Sequence, residues 1–269
     1  VDTMITKKKK KKKLKFKNFS LIKKVSKKTN HTYLKIFKKK IEFFVPDNTI
    51  EFIITHYNES FKYLDYLPNN QKITIYHKGD KNLIKDNIYK KNVTIIKLDN
   101  IGRDSHTNIY HISKNYKNLS MINFFITGSF LSYEDRVKSL VEVFAKITSP
   151  FKKKYKGFYG SFDDKKNFFK KNKIKLDPKF RILQHKGERL IPSKIFPFDS
   201  WFKFYFPEKK LIKKLESLNG ILAVDKKNIL SIQKKIYDKI VEEFKIVNES
   251  YESVHYIERA YTSMFKIQS

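Results

Sequence analysis

Val93-Thr-Ile-Ile-Lys-Leu98, running straight into Asp99-Asn-Ile-Gly-Arg-Asp-Ser-His-Thr-Asn108, is the stretch that decides the fold class of this chain. Val93 to Leu98 is rich in β-branched residues and bounded by polar ones, which marks a strand. Ile109, Ile112 and Tyr116 recur at helical spacing just beyond it. A strand that turns directly into a helix is half of a β-α-β unit, and in open α/β sheets ligands bind at that junction. Within the turn, Gly102 can adopt backbone angles closed to other residues, Arg103 carries a fixed charge on a forked set of donors, and Asp104 or Ser105 can cap the helix. Two readings fit the segment equally well: a capped turn that holds a glycine, and a seat for a negatively charged ligand.

The alternation continues on both sides. Glu51-Phe-Ile-Ile-Thr55 is a short apolar run ending in His56-Tyr-Asn-Glu59, and Phe61, Leu64 and Leu67 follow at helical spacing before Pro68-Asn-Asn70. Ile73-Thr-Ile-Tyr76 is closed by Lys78-Gly-Asp80. Met121-Ile-Asn-Phe-Phe-Ile126 stops at Thr127-Gly-Ser129, after which Val137, Leu140, Val141 and Phe144 mark one helix face. This order predicts a single Rossmann-like α/β domain with a mostly parallel sheet covered on both faces. From Pro150 to Pro197 the pattern loosens into segments such as Lys156-Gly-Phe-Tyr-Gly160, read as an irregular insertion. Order returns at Trp201-Phe-Lys-Phe-Tyr-Phe206. Gly220-Ile-Leu-Ala-Val224 then predicts a strand leading to a helix with Ile229, Ile232, Ile236 and Ile240 inward, and a last helix from about Tyr251 carries Val254, Ile257, Tyr261 and Phe265 on its core stripe.

Pro46-Asp-Asn48 is the expected boundary between a Lys-rich N-terminal tail (1–45), disordered or loosely packed, and a folded domain (46–269) with the insertion at about 150–197. The 269 residues carry a formal net charge of +32, which draws a chain toward nucleic acid or an anionic membrane. Of 59 basic residues, however, only Arg103, Arg136, Arg181, Arg189 and Arg259 are arginines, and a dedicated phosphate binder favours arginine's bidentate fork. The lysine excess sits with abundant Ile, Asn, Phe and Tyr, all with A/T-rich codons, so base composition accounts for much of it. Residues 1–45 hold seventeen lysines against Asp2 and Glu42, including an unbroken run from Lys7 to Lys13, and that tail is the candidate contact with anionic surfaces. The absence of cysteine excludes disulfides and thiolate metal sites and leaves the compartment open. No apolar run approaches the roughly 20 residues that span a bilayer. With no apolar signal region at the N-terminus either, the expectation is a soluble or peripheral protein, cytoplasmic rather than secreted.

On the last helix His255, Glu258, Arg259 and Thr262 share one side beside the apolar stripe. A carboxylate there can take a proton from an attacking hydroxyl while a histidine orients it. The plainer alternative is an amphipathic helix whose Glu258 and Arg259 make structural salt bridges.

Four patterns now stand in order: Thr55-His-Tyr-Asn-Glu59, Asn100-Ile-Gly-Arg-Asp104 with His106 and Tyr110-His-Ile112, Gly220-Ile-Leu-Ala-Val-Asp225 with Ile236-Tyr237, and His255-Tyr-Ile-Glu-Arg259. Together they resemble the DUF3431-type family of glycosyltransferase-like proteins and its relatives in microbes and large DNA viruses. The resemblance runs from about Glu51 to Phe265, with the middle insertion matching poorly. It implies a GT-A-like fold that transfers a sugar from a nucleotide-sugar donor to a hydroxyl of a carbohydrate or glycoconjugate acceptor. Under it, His56, Asn58 and Glu59 edge the nucleotide pocket, and Asn100, Gly102, Arg103 and Asp104 contact base, ribose or phosphate. Glu258 is the base with His255 beside it, and Arg103, Arg259 or a metal ion offsets charge on the departing diphosphate.

Such enzymes commonly place an Asp-x-Asp motif for Mn or Mg after the fourth strand, where this chain has Phe125-Ile-Thr-Gly-Ser129, without a carboxylate. The adjacent pair Asp163-Asp164 lies in the insertion and reads more simply as a solvated turn. Trp201 is the aromatic best placed by sequence to wall an acceptor site, with core packing as the alternative. The rival function is a non-catalytic basic protein that binds nucleic acid or another polyanion through its lysines.

Overall fold

The computed structural model describes residues 27–80, 91–147, 157–161, 175–185, 187–215, 217–218, 220–245 and 251–266. The lysine run at 7–13 and the pair Asp163-Asp164 lie outside these residues. In chain order the elements are α1 (Lys27–Phe44), β1 (Ile50–His56), β2 (Lys72–His77), β3 (Val93–Lys97), α2 (Arg103–Asn115), β4 (Ile122–Thr127) and α3 (Glu134–Ile147). After them come β5 (Phe158–Gly160), the hairpin β6 (Gln184–His185) and β7 (Glu188–Arg189), α4 (Phe198–Tyr205), β8 (Leu222–Asp225), α5 (Lys226–Leu230), α6 (Lys234–Lys245) and α7 (Glu252–Phe265). The chain is α/β, as its sequence predicts.

The central sheet has six strands in the order β3-β2-β1-β4-β8-β5. β1 pairs in parallel with β2 and β4, and β2 with β3, while β8 runs antiparallel to both β4 and β5. Strands β1, β2 and β3 advance to one side, and the chain then returns to lay β4 on the other side of β1. The crevice outside the carboxyl ends of strands at such a reversal is where α/β sheets take ligands. Here it opens at Thr55↔Thr127, the register pair that closes the β1–β4 ladder.

The alternation of side chains along the strands fills two cores. Phe52, Ile54, Ile73, Ile75, Phe124 and Ile126 pack under α1 and α3, and Ile53, Tyr76, Phe125, Leu222 and Val224 pack under α2, α4, α6 and α7. All seven residues of β1 are buried, as a strand covered on both faces requires.

Four expectations change. The tail reading of 1–45 does not hold for 27–44, because Leu34, Phe37 and Ile41 recur at helical spacing and are buried against α3 and the sheet. The apolar stripe outweighs the lysines around it. Phe61–Tyr66 is a 3-10 helix rather than an α-helix, started by Ser60 accepting from the Lys62 amide. The insertion supplies an edge strand, β5, whose three residues are too short for a period to show. Trp201 is fully buried and donates to Glu243 Oε2 at 3.3 Å, so it belongs to the core and walls no acceptor site.

Candidate functional site

The turn after β3 is built as its sequence requires, with one exception. Gly102 sits at φ 58°, and a Cβ there would lie 2.7 Å from the His106 Cβ, so only glycine fits. Arg103 follows at φ 50°, a left-handed conformation that costs a non-glycine residue on the order of 1–3 kcal/mol and is tolerated mainly at functional sites. The helix cap is Gly102, with no side-chain capping bond from Asp104 or Ser105. Ser105 instead donates to the Val254 carbonyl at 3.2 Å, and Asn108 to the Tyr261 hydroxyl at 3.1 Å, which ties α2 to α7. The early turn and the last helix therefore meet in space, although they lie far apart in sequence.

At the crevice, a cavity of about 400 Å³ is lined by Thr55, His56, Tyr57 and Glu59 after β1, Lys78 after β2, Asn100, Arg103 and Asp104 after β3, and Thr127 at the end of β4. Of the residues named from sequence, this brings together His56, Glu59, Asn100, Arg103 and Asp104. Asn58 and Gly102 sit beside the cavity without lining it. Asn58 packs over Gly79, where a Cβ would come 2.2 Å from Asn58 Oδ1. His56 is buried, stacked on Phe61 at 4.4 Å, and shares Nδ1 with the Tyr63 hydroxyl at 3.0 Å, so its role is to support the wall. Glu59 Oε2 accepts from the Tyr57 amide at 2.7 Å. A Cβ on Gly128 would lie 3.2 Å from that same oxygen, so Gly128 makes room for it.

Lys78 is almost fully buried. It donates to the Ile101 carbonyl and, at 2.9 Å, to the Arg103 carbonyl, holding the strained turn from beneath. Arg136, at the start of α3, donates to Ser129 Oγ and to Thr127 Oγ1 at 3.4 Å, which stations a guanidinium at the end of β4. Burial pushes the Asp104 carboxyl up to about 6; Arg136 and Lys78 oppose that rise, and Glu258 and Glu59 add to it. Glu258 is thus electrostatically coupled to Asp104 although it does not line the cavity. Its Oε2 lies 3.9 Å from His255 Nδ1, and its side chain is 25% exposed. His255 packs its ring 4.8 Å from that of His185. Arg259 turns elsewhere: its guanidinium stacks 3.5 Å from the Phe180 ring centre and donates to the His255 carbonyl at 3.0 Å, so it orders α7 and the segment against it.

Lys78, Thr127 and Arg136 were not singled out from sequence. Lys78 directly follows β2 and Thr127 ends β4, so reading every strand end for polar side chains finds these two, whereas Arg136 lies a further turn along the chain. Among the described residues no group of three or more His, Asp and Glu side chains is placed to hold a metal ion. Lys78 and Arg103 bring positive charge to the cavity wall, and Arg136 acts on Asp104 from beside it. A larger groove of about 510 Å³ lies between α2 and α6. There Lys234 and Lys245 are already paired with Asp238 and Glu242, each at 2.7 Å. No family model, curated protein or solved structure matches this chain.

Proposed function

We propose that the chain is a GT-A-like glycosyltransferase that binds a nucleotide-sugar donor in the cavity at the carboxyl ends of β1 to β4. The observation that carries the reading is the gathering of charge there: Glu59, Lys78, Arg103 and Asp104 line one cavity at the strand ends, and Arg136 and Glu258 both act on Asp104 from beside it. A nucleotide sugar needs both. Its diphosphate is held by cations, and its ribose and sugar hydroxyls donate to carboxylates.

In the reaction, Glu258 accepts the proton of the acceptor hydroxyl as that oxygen bonds to the anomeric carbon. The bond from the anomeric carbon to the diphosphate oxygen breaks, and its electron pair leaves with the diphosphate. Arg103 and Arg136 stabilise the charge that develops on the leaving oxygen. Asp104 ionises near pH 6 at the cavity wall and then accepts from the donor's hydroxyls, so transfer rises with pH through about 6. His255 is a positioning residue that holds Glu258.

The test is a panel of UDP-, GDP- and other nucleotide sugars, read by thermal shift and by donor hydrolysis. Stabilisation by at least one donor, with turnover lost and binding kept in Glu258→Gln, is the expected result. A panel that gives neither shift nor hydrolysis overturns the proposal, and binding without hydrolysis reduces it to a sugar-nucleotide receptor.

A further inference from the structure

The opposite end of the sheet, at the amino ends of the parallel strands, has a different surface. Phe43 and Phe44 close α1 with 81% and 72% of their surfaces exposed, their rings touching at 4.8 Å, and Met121 at the mouth of β4 is 68% exposed. Hydrogen bonds fix all three to the same edge. Asn70, just before β2, donates to the Glu42 and Val45 carbonyls at either side of the phenylalanines, and the Ile122 amide donates to Thr49 beside the entry to β1.

Around these apolar groups stand exposed lysines. Lys91 immediately precedes the turn into β3, Lys117 lies in the turn before β4, and Lys227 follows the end of antiparallel β8. Two acids of this edge are held by the loop, Glu42 by the Asn69 amide and Asp47 by the Asn70 side chain, both at 2.9 Å, and a third, Asp225, ends β8 opposite Ile122.

We infer that this edge docks on an anionic lipid surface, with Phe43, Phe44 and Met121 entering the headgroup–acyl boundary and the lysines facing the acidic headgroups. Exposed apolar side chains rimmed by lysine are what an interfacial contact needs, since burial of the aromatic groups and attraction to anionic lipid act together. Nucleic acid would answer the lysines but leaves the three apolar groups unexplained. Docking here points the carboxyl-end cavity away from the bilayer. This inference is independent of any reaction in that cavity.

The experiment uses the full chain with vesicles of phosphatidylcholine alone and of phosphatidylcholine with phosphatidylserine, read by co-sedimentation. Wild type is expected to sediment with the phosphatidylserine vesicles and not with phosphatidylcholine alone. The variant Phe43→Ser/Phe44→Ser/Met121→Ser loses about tenfold or more in partitioning, with melting unchanged because all three side chains are exposed. Lys91→Glu/Lys117→Glu/Lys227→Glu loses about a hundredfold. Phe44→Trp supplies a second measurement: its emission shifts to the blue on phosphatidylserine vesicles and is quenched by acyl-brominated lipid, while buried Trp201 stays constant. The inference is overturned if the apolar variant partitions like wild type, if the Phe44→Trp emission does not move, or if duplex DNA is bound equally well by wild type and by the apolar variant while vesicles are not bound.

Discussion

Helix α7 carries two glutamates whose surroundings are opposite. Glu252 is fully buried and saturated: Arg181 donates to it twice, at 2.7 and 3.1 Å, the Ile182 and Ser193 amides at 3.1 and 3.0 Å, and the Tyr256 hydroxyl at 2.7 Å. Glu258, further along the helix, lies 3.9 Å from His255 Nδ1 and shares a field with Asp104, Arg259 and Tyr261. A carboxylate that has spent every lone pair on fixed donors pins the chain and has no basicity to offer. One that is partly exposed and not saturated by fixed donors keeps lone pairs for a substrate hydroxyl. Burial alone does not separate structure from chemistry; the count of donors does.

The sharpest way to break that contrast is to remove the saturated member. Glu252→Ala leaves Arg181 and two backbone amides without their acceptor and should cost about 3–5 kcal/mol, measured by denaturant unfolding. Burial raises the Glu252 pKa, but Arg181, Tyr256 and the two amides outweigh it and hold it below the usual carboxylate range. Its contribution to stability is therefore complete above the ordinary carboxylate value and disappears as pH falls through the depressed one. Glu258→Gln, by comparison, should leave stability within about 0.5 kcal/mol while cutting sugar transfer by about 10²–10⁴-fold. Comparable destabilisation by the two substitutions would erase the distinction.

Asp104 extends the comparison with the reverse sign. Its carboxyl is raised from 3.8 to about 6, so the fold prefers it protonated and is penalised when it ionises. Asp104→Asn should stabilise the protein by about 3 kcal/mol at neutral pH. The gain should shrink as pH falls below about 6 and be gone below 3.8, where wild type is protonated in both states. Thermal unfolding of the two proteins across that range measures it, and a stability difference that does not vary with pH contradicts the assignment.

The strands β1 to β4 and the helices after β3 and β4 were legible because each holds a long enough run of one period. What sequence could not show has local causes. In α1 the stripe Leu34, Phe37, Ile41 is present, but lysines between its members set the average composition of the segment. In β5 three residues carry no period. The antiparallel direction of β8 depends on which strand receives it, a tertiary fact. At the site, Arg103 and Asp104 were visible because a glycine turn announces itself. Arg136 was not, because it reaches back to the end of β4 across a turn of 3-10 helix, Gly128–Ser132, that has no signature of its own. Glu252 reads in sequence as one more acidic residue at a helix start, and its donors come from a segment with no periodic pattern.

Arg136 supplies the finest test, since it weighs on Asp104 yet lies on another element. Its guanidinium donates to the Thr127 and Ser129 hydroxyls and packs 4.8 Å from the Tyr133 ring centre. If its charge serves the donor diphosphate, Arg136→Ala should weaken donor affinity about tenfold, the worth of a hydrogen bond to a charged group, seen by calorimetric titration. It should also raise the apparent pKa of Asp104 further, because a charge that favours the ionised form has gone, and so move the rise of transfer with pH to the alkaline side. Arg136→Lys should restore most of that pH shift and less of the affinity, since lysine keeps the charge and loses the fork. A purely structural arginine predicts a different pattern: a lower melting temperature in both variants, with donor affinity and the pH profile left where they were.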